Sequence, residues 1–180
     1  MTPAEYVQLK AFARIDGALT ALLWIVSFGC FIGGLVSPML TLVGVAVGLA
    51  SLFFVSKRIR LFRDRVLDGI ISRWRAWGYT VYVFFYASLL LALAQYAYFA
   101  YLDQGFLVHS MEQVLGMEES KATLEAYGMT QVMSESLAQL GQMRPIDLAV
   151  NTLTSNIMLG FVIGVPIALL VRKAPNKRNK

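Results

Sequence analysis

Residues 57–77, KRIRLFRDRVLDGIISRWRAW, lie between two apolar runs and determine how the rest of the chain is placed. Apolar residues recur there at a spacing of three and four, which puts them on one stripe of a helix. This pattern predicts either a basic amphipathic helix on an anionic membrane surface or a plain positive loop, with Gly69 expected to interrupt the helix midway. The stretch holds seven of the chain's 16 basic residues, namely Lys57, Arg58, Arg60, Arg63, Arg65, Arg73 and Arg75.

Four apolar runs are long enough to cross a membrane. About 20 residues rising about 1.5 Å each cover the hydrocarbon core of a bilayer. A signal peptide is the competing interpretation of the first run, but the run is longer than the apolar core of a typical signal. The short Ser37–Pro38 turn makes the first two spans an antiparallel hairpin. The predicted spans are residues 17–36, 39–55, 78–102 and 146–171.

One long polar segment, residues 103–145, separates the third and fourth spans. It is mainly acidic and has two apolar patterns of helical period, divided near Gly128. It is therefore predicted to be a helical hairpin outside the membrane.

The distribution of basic residues predicts the orientation. Fourteen of the 16 precede the first span, follow the last span or lie in the loop 56–77, and two lie in residues 103–145. The positive-inside rule then places the loop and both termini in the cytoplasm and the acidic hairpin in the periplasm. We therefore expect a single-domain, all-α, multi-pass four-helix bundle of the bacterial inner membrane.

Composition excludes several classes of function. The hydrophobic fraction of 57% exceeds the roughly 45–50% of soluble domains. The net charge of +5 lies beside apolar runs, as expected for lipid-facing loops and not for nucleic-acid binding. A single cysteine, Cys30, and a single histidine, His109, leave no multi-cysteine or multi-histidine metal site. No catalytic motif is present, so we expect no enzyme activity, metal or cofactor.

Three spans carry glycines four residues apart, a spacing that lets two helix backbones approach closely. Packing within one chain is the simpler interpretation. A homodimer face is the alternative, with Gly44 and Gly48 as its best candidates. The pairs are Gly29 and Gly33, Gly44 and Gly48, and Gly160 and Gly164.

Polar residues also recur within the last span. Asp147, Asn151 and Ser155 share one helix face, and Gln95 lies in the third span. Because polar groups at membrane depth are costly, we expect this face to point into the bundle or into a water-filled cavity. It could form a shallow ligand or ion site, or only hydrogen bonds between helices.

The layout resembles a bacterial family of four-span membrane proteins of unknown function, common in the Bacteroidetes. The resemblance rests on the first hairpin, on KRIRLFRDRVLDGIISRWRAWGYTVYVFFYASLLLALAQYAYFAYLD, on a hairpin containing YGMT, and on the closing LGFVIGVPIALLVRK. It transfers no catalytic residue. It implies a possible link to a polyprenyl-phosphate glycosyltransferase, because members tend to be encoded beside one.

These observations predict a non-enzymatic accessory or scaffold subunit. Its seven basic residues would bind anionic membrane lipid or a cytoplasmic partner, such as that glycosyltransferase. The alternative is a small transporter or flippase-like protein that uses the polar face of the last span. A sensor that reads the envelope through residues 103–145 is a third hypothesis.

Overall fold

A computed structural model describes residues 2–173, and seven helices joined by short turns account for most of them. A short backbone pairing joins Ile71 to Lys173, with N···O distances of 3.2 and 3.4 Å. The helices are α1 (Pro3–Gly34), α2 (Pro38–Val66), α3 (Arg73–Tyr101), α4 (Phe106–Gly116), α5 (Glu118–Ala126), α6 (Thr130–Gln142) and α7 (Pro145–Val171).

Four of these helices, α1, α2, α3 and α7, are long and apolar enough to cross a membrane. Each predicted span falls within one of them, apart from one or two terminal residues. The helix α1 has 32 residues, or about 48 Å, against a hydrocarbon core of about 30 Å. It begins with a capping box, in which Thr2 accepts from the Glu5 N–H and Glu5 accepts from the Thr2 N–H. The polar first part of α1 therefore continues the helix beyond the membrane core.

The long helices are arranged in the order α2, α1, α3, α7. The helix α1 packs along both α2 and α3, and α3 packs along α7, whereas α2 and α7 meet only briefly. That meeting includes the Arg63 guanidinium, which donates to the carbonyl of Val171 at 2.8 Å. Beyond this contact, α2 and α7 leave a groove between them, with α1 and α3 as its floor.

The best-packed part of the protein is what we call the basic end. It comprises the start of α1, the end of α2, the start of α3 and the end of α7. Each of these four helix ends, and the α2–α3 turn, contributes a residue that is at most 1% exposed. These residues are Leu9, Ile59, Ile71, Tyr79 and Val171. The basic end is thus closed like the core of a soluble protein.

The sequence pattern suggested one amphipathic helix or one loop over residues 57–77, and the structure has neither. Lys57–Val66 continue α2 without a break, and Arg73–Trp77 already belong to α3. Asp68 and Gly69 have positive φ values of 50° and 80°, and the Gly69 N–H donates back to the Arg63 carbonyl at 3.0 Å. Such a bond ends a helix through a left-handed turn, so the predicted interruption at Gly69 is confirmed.

The segment between α3 and α7 has three helices where a hairpin of two was predicted. The predicted break at Gly128 is present, with a φ of 64°. A second break lies at Met117, whose backbone is extended. A new helix begins directly after it with Glu118 and Glu119, because the dipole at a helix N-terminus favours acidic residues. Asp103 accepts from the N–H groups of Gly105 and Leu107 at the start of α4.

Five of the six paired glycines lie at contacts within the chain. A Cβ at Gly44 would lie 3.2 Å from Ser27 O, and one at Gly48 would lie 3.5 Å from Ser27 Oγ, so both glycines pack against α1. The structure thus supports packing within one chain, the simpler of the two interpretations, and the dimer face remains a prediction. Gly33 faces Leu40 in the α1–α2 hairpin, and Gly160 and Gly164 face Phe84 and Trp77 of α3. Gly29 is the exception, because nothing described lies within 4 Å of its Cβ position.

Candidate functional site

A buried ionic cluster joins three helices at the basic end. Asp16 of α1 is 2% exposed and pairs with Arg58 of α2, whose Nε lies 2.6 Å from Asp16 Oδ1. The Tyr79 hydroxyl of α3 donates to the other carboxylate oxygen. Sequence reasoning missed this cluster, because Arg58 and Tyr79 lie 42 and 63 positions from Asp16 and the three residues share no motif. It fixes the heights of α1, α2 and α3 relative to one another.

Two more of the seven predicted binding residues are also used within the fold. Arg63 pairs with Asp64 and binds the Val171 carbonyl, and Arg75 pairs with Glu5 at 3.2 Å. Glu5 lies well before the apolar part of α1, and the Thr2 N–H, followed by Arg75, lowers the pKa of its carboxyl. Together with Arg58, these arginines hold the basic end together, although Nε and Nη2 of Arg75 have no hydrogen-bond partner among the described residues.

The other four predicted binding residues face outward. Lys57, Arg60, Arg65 and Arg73 are exposed, and none forms an ion pair with any of residues 2–173. These four residues are the exposed part of the predicted basic surface, and the binding role of all seven remains a prediction.

A cationic hollow of about 290 Å³ lies where the α2–α3 turn meets the end of α7. Arg73, Arg172 and Lys173 supply three positive charges, and Ser72 and Ile71 complete the wall. The paired backbones of Ile71 and Lys173 hold the two sides together. Arg172 and Lys173 were not singled out in the sequence, because they lie about 100 residues after Arg73 and only the fold brings them beside it.

An apolar groove of about 420 Å³ continues from this hollow along the seam between α3 and α7. Arg73 and Trp74 line both spaces. Trp77, Phe161 and Leu169 line the groove farther along. The Trp77 indole packs edge-on against Phe161 and donates to its carbonyl at 3.1 Å, while Trp74 is 80% exposed. The positive charges of the cationic hollow therefore lie next to the apolar groove, beside Trp74 and Trp77.

The predicted polar face of the last span does not point into the bundle. Asn151 and Ser155 are exposed on the outside of α7. Asp147 instead caps α7 and is held by Arg144, whose Nε lies 2.8 Å from Asp147 Oδ2. The structure does not bring these three residues to Gln95. Each residue of an α-helix is turned by about 100° from the one before it. Thr152 and Asn156, one position after Asn151 and Ser155, therefore lie on another face of α7, and they line the same groove as Gln95.

Gln95 itself is buried, at 9% exposure, and lines the groove between α2 and α7. Its Oε1 has no hydrogen-bond partner among the described residues. Within residues 2–173, no three histidine, cysteine, aspartate or glutamate side chains are grouped so that they could hold a metal ion.

Comparison with known proteins identifies a family without an assigned activity. The family model described as "Protein of unknown function (DUF4199)" matches residues 16–173. No curated protein and no solved structure matches the chain. The match begins at Asp16 and ends at Lys173, and so contains both the buried ionic cluster and the cationic hollow.

Proposed function

Because the chain belongs to the DUF4199 family, we propose a function from the geometry of its basic end: a non-enzymatic accessory subunit that binds anionic membrane lipid there. The observation that carries the proposal is the junction of the cationic hollow with the apolar groove at Arg73 and Trp74. A phosphate can bind to arginine through charge-assisted hydrogen bonds, while the adjoining groove accepts an acyl chain.

The rigidity of the basic end also supports this proposal. A binding surface is more effective when its side chains stand on elements that do not move on binding. Arg73 lies in the first turn of α3, directly after Ser72, which caps that helix by accepting from the Arg75 N–H at 3.3 Å. The hollow thus stands on the closed core of the basic end.

We further propose that the membrane is the bacterial inner membrane, with the basic end and both termini in the cytoplasm and α4–α6 in the periplasm. The concentration of basic residues at one end supports this orientation. The anionic lipid headgroups of a cytoplasmic leaflet would then lie at the level of the hollow.

Charge removal at the hollow gives the first test. Arg73→Gln with Lys173→Gln should weaken binding of phosphatidylglycerol by roughly 30-fold, since each cation near an anionic surface contributes about 1 kcal/mol. Binding would be measured on purified protein in phosphatidylcholine nanodiscs titrated with phosphatidylglycerol. Lys57→Gln with Arg60→Gln is the matched control, because it removes the same charge from exposed positions that do not line the hollow. Equal losses in both variants would contradict a specific site.

The accessory role requires a protein partner as well, and Arg60 and Arg65 remain available for it. A cytoplasmic enzyme of lipid-phosphate metabolism is the partner that we propose, and the family resemblance suggests a glycosyltransferase that uses a polyprenyl phosphate. Arg60→Glu with Arg65→Glu should abolish its co-purification in mild detergent, whereas Arg144→Glu at the other end of the bundle should not. Recovery of the same partner with both variants would contradict this role for the basic end.

The alternative, a transporter, is not favoured by the geometry. Its proposed polar face, Asp147, Asn151 and Ser155, lies outside the bundle or in a helix cap. A solute that crossed the membrane through the bundle would also have to pass the basic end, where the packed side chains are at most 1% exposed.

A further inference from the structure

The groove between α2 and α7 is a second space of ligand size, at the far side of the bundle from the cationic hollow. Its volume is about 470 Å³, within the roughly 300–1,000 Å³ of small-molecule sites. Residues of α2 and α7, two helices that pack against each other only slightly, line its two sides. The groove therefore opens sideways between them, where a bilayer would lie. A molecule could therefore enter it from the membrane.

One buried polar atom in this groove has no partner in the fold. Gln95 Oε1 accepts no hydrogen bond from any described residue. The neighbouring hydroxyls are satisfied, since Ser27 donates to the Gly44 carbonyl and Ser51 accepts from the Trp24 indole, both at 2.8 Å. A buried acceptor left unpaired is costly, and more so away from water. Gln95 thus points to a ligand that supplies a donor.

Two of the polar residues that line the groove lie close to one membrane surface. Gln95 lies six residues before the end of α3, and Thr152 lies seven residues after the start of α7, which puts both about 10 Å from their helix ends. Trp24, Leu91 and Ile163 line the deeper part. Phe28 and Phe31 line the groove near the same surface, and the deeper Ser51 is already hydrogen-bonded within the fold. The unpaired Gln95 acceptor is therefore near the membrane surface, and the deeper wall offers mainly apolar contacts, as a lipid lying in its own leaflet would need.

We infer that this groove binds a neutral lipid with a free hydroxyl, of the diacylglycerol class. The hydroxyl would donate to Gln95 Oε1 and could accept from the Asn156 amide, and an acyl chain would follow the apolar wall. No charged side chain is among the described residues that line the groove, so a phosphate headgroup would be buried without a counter-charge. This selectivity is the reverse of that at the cationic hollow, and the two sites are independent.

Photolabelling in a defined membrane tests the inference. The full-length protein in phosphatidylcholine nanodiscs would be labelled with a diacylglycerol that carries a diazirine in one acyl chain, and the labelled peptides would be mapped by mass spectrometry. We expect labelling within residues 24–31 and 152–163, displaced by unlabelled diacylglycerol and not by phosphatidic acid with the same chains. Equal displacement by both lipids, or labelling confined to the outer faces of the helices, would overturn the inference.

Gln95→Leu provides the matching variant. Its labelling should require about three- to tenfold more diacylglycerol, while its thermal stability in lipid-exchanged nanodiscs without diacylglycerol should be unchanged or higher, because an unpaired polar group is removed. Asn151→Leu, on the outer face of α7, should label as the unaltered protein does. If Gln95→Leu does not fold, Thr152→Val with Asn156→Leu is expected to show the same loss. Unchanged labelling in whichever of these variants folds would overturn the inference.

Discussion

Replacing Asp16 by alanine should lower the free energy of unfolding by about 3 to 5 kcal/mol, since removing one member of a buried ion pair leaves the other uncompensated. Arg58 would lose its carboxylate partner and the Tyr79 hydroxyl would lose its acceptor. The Arg58 side chain is 27% exposed and keeps some contact with solvent or headgroups, so the lower part of this range is the better expectation. The measurement is unfolding in mixed micelles with increasing SDS, followed by circular dichroism.

Two further variants identify the cause of that loss. Adding Arg58→Met to Asp16→Ala should recover much of the stability, because no buried charge then remains unpaired. Glu118→Ala removes a carboxylate from an exposed pair with Lys121 and should change stability by less than about 0.5 kcal/mol. If the double variant were as unstable as Asp16→Ala alone, loss of packing and not of charge pairing would be the cause.

Gly160→Ala should destabilise the protein by about 1–3 kcal/mol, as expected when a methyl group is forced into a close helix contact. Its Cβ would lie 2.6 Å from Phe84 Cβ, an atom fixed to the backbone of α3 that cannot rotate away. The helices α3 and α7 would have to separate, and Trp77 would lose its close contact with Phe161. The same SDS titration measures the loss, and a red shift of tryptophan fluorescence would report the change at Trp77.

Gly29→Ala is the matched control for this prediction. Gly29 also stands first in a glycine pair within a span, but nothing described lies within 4 Å of its Cβ position. The substitution should be neutral or slightly stabilising, because alanine favours the helix over glycine. A similar loss in both variants would indicate that the glycines act through helix flexibility and not through close approach.

Most of the fold could be predicted from the sequence because the governing patterns are local. The apolar runs fixed four spans through their length alone, and Gly69 and Gly128 marked helix ends through their tolerance of positive φ. The start of α1 is equally local, because Thr2 and Glu5 form a capping box around Pro3 at the first helical position. The continuation of α2 through Lys57–Val66 was missed, since nothing in the sequence distinguishes a helix that leaves the membrane from one that lies upon it.

The functional residues were harder to predict because a membrane weakens the signal for helix orientation. Lipid and protein interior are both apolar, so the apolar pattern of α7 does not say which face is buried. Asn151 was therefore assigned to the interior, where the structure has Thr152 and Asn156. Asp16, Arg58 and Tyr79 meet only because three helices are at the right height, and no spacing along the chain encodes that meeting.

The pairing of Ile71 with Lys173 bears on how the protein is made. A ribosome would deliver Lys173 about 100 residues after Ile71, when α1, α2 and α3 could already be inserted. Until α7 arrives, Phe84 of α3 lacks its contact with Gly160, and Arg63 lacks the carbonyl of Val171. The nascent chain would therefore pass through a stage with three inserted helices and an incompletely packed basic end. A membrane protease or insertion chaperone would encounter the protein in that form.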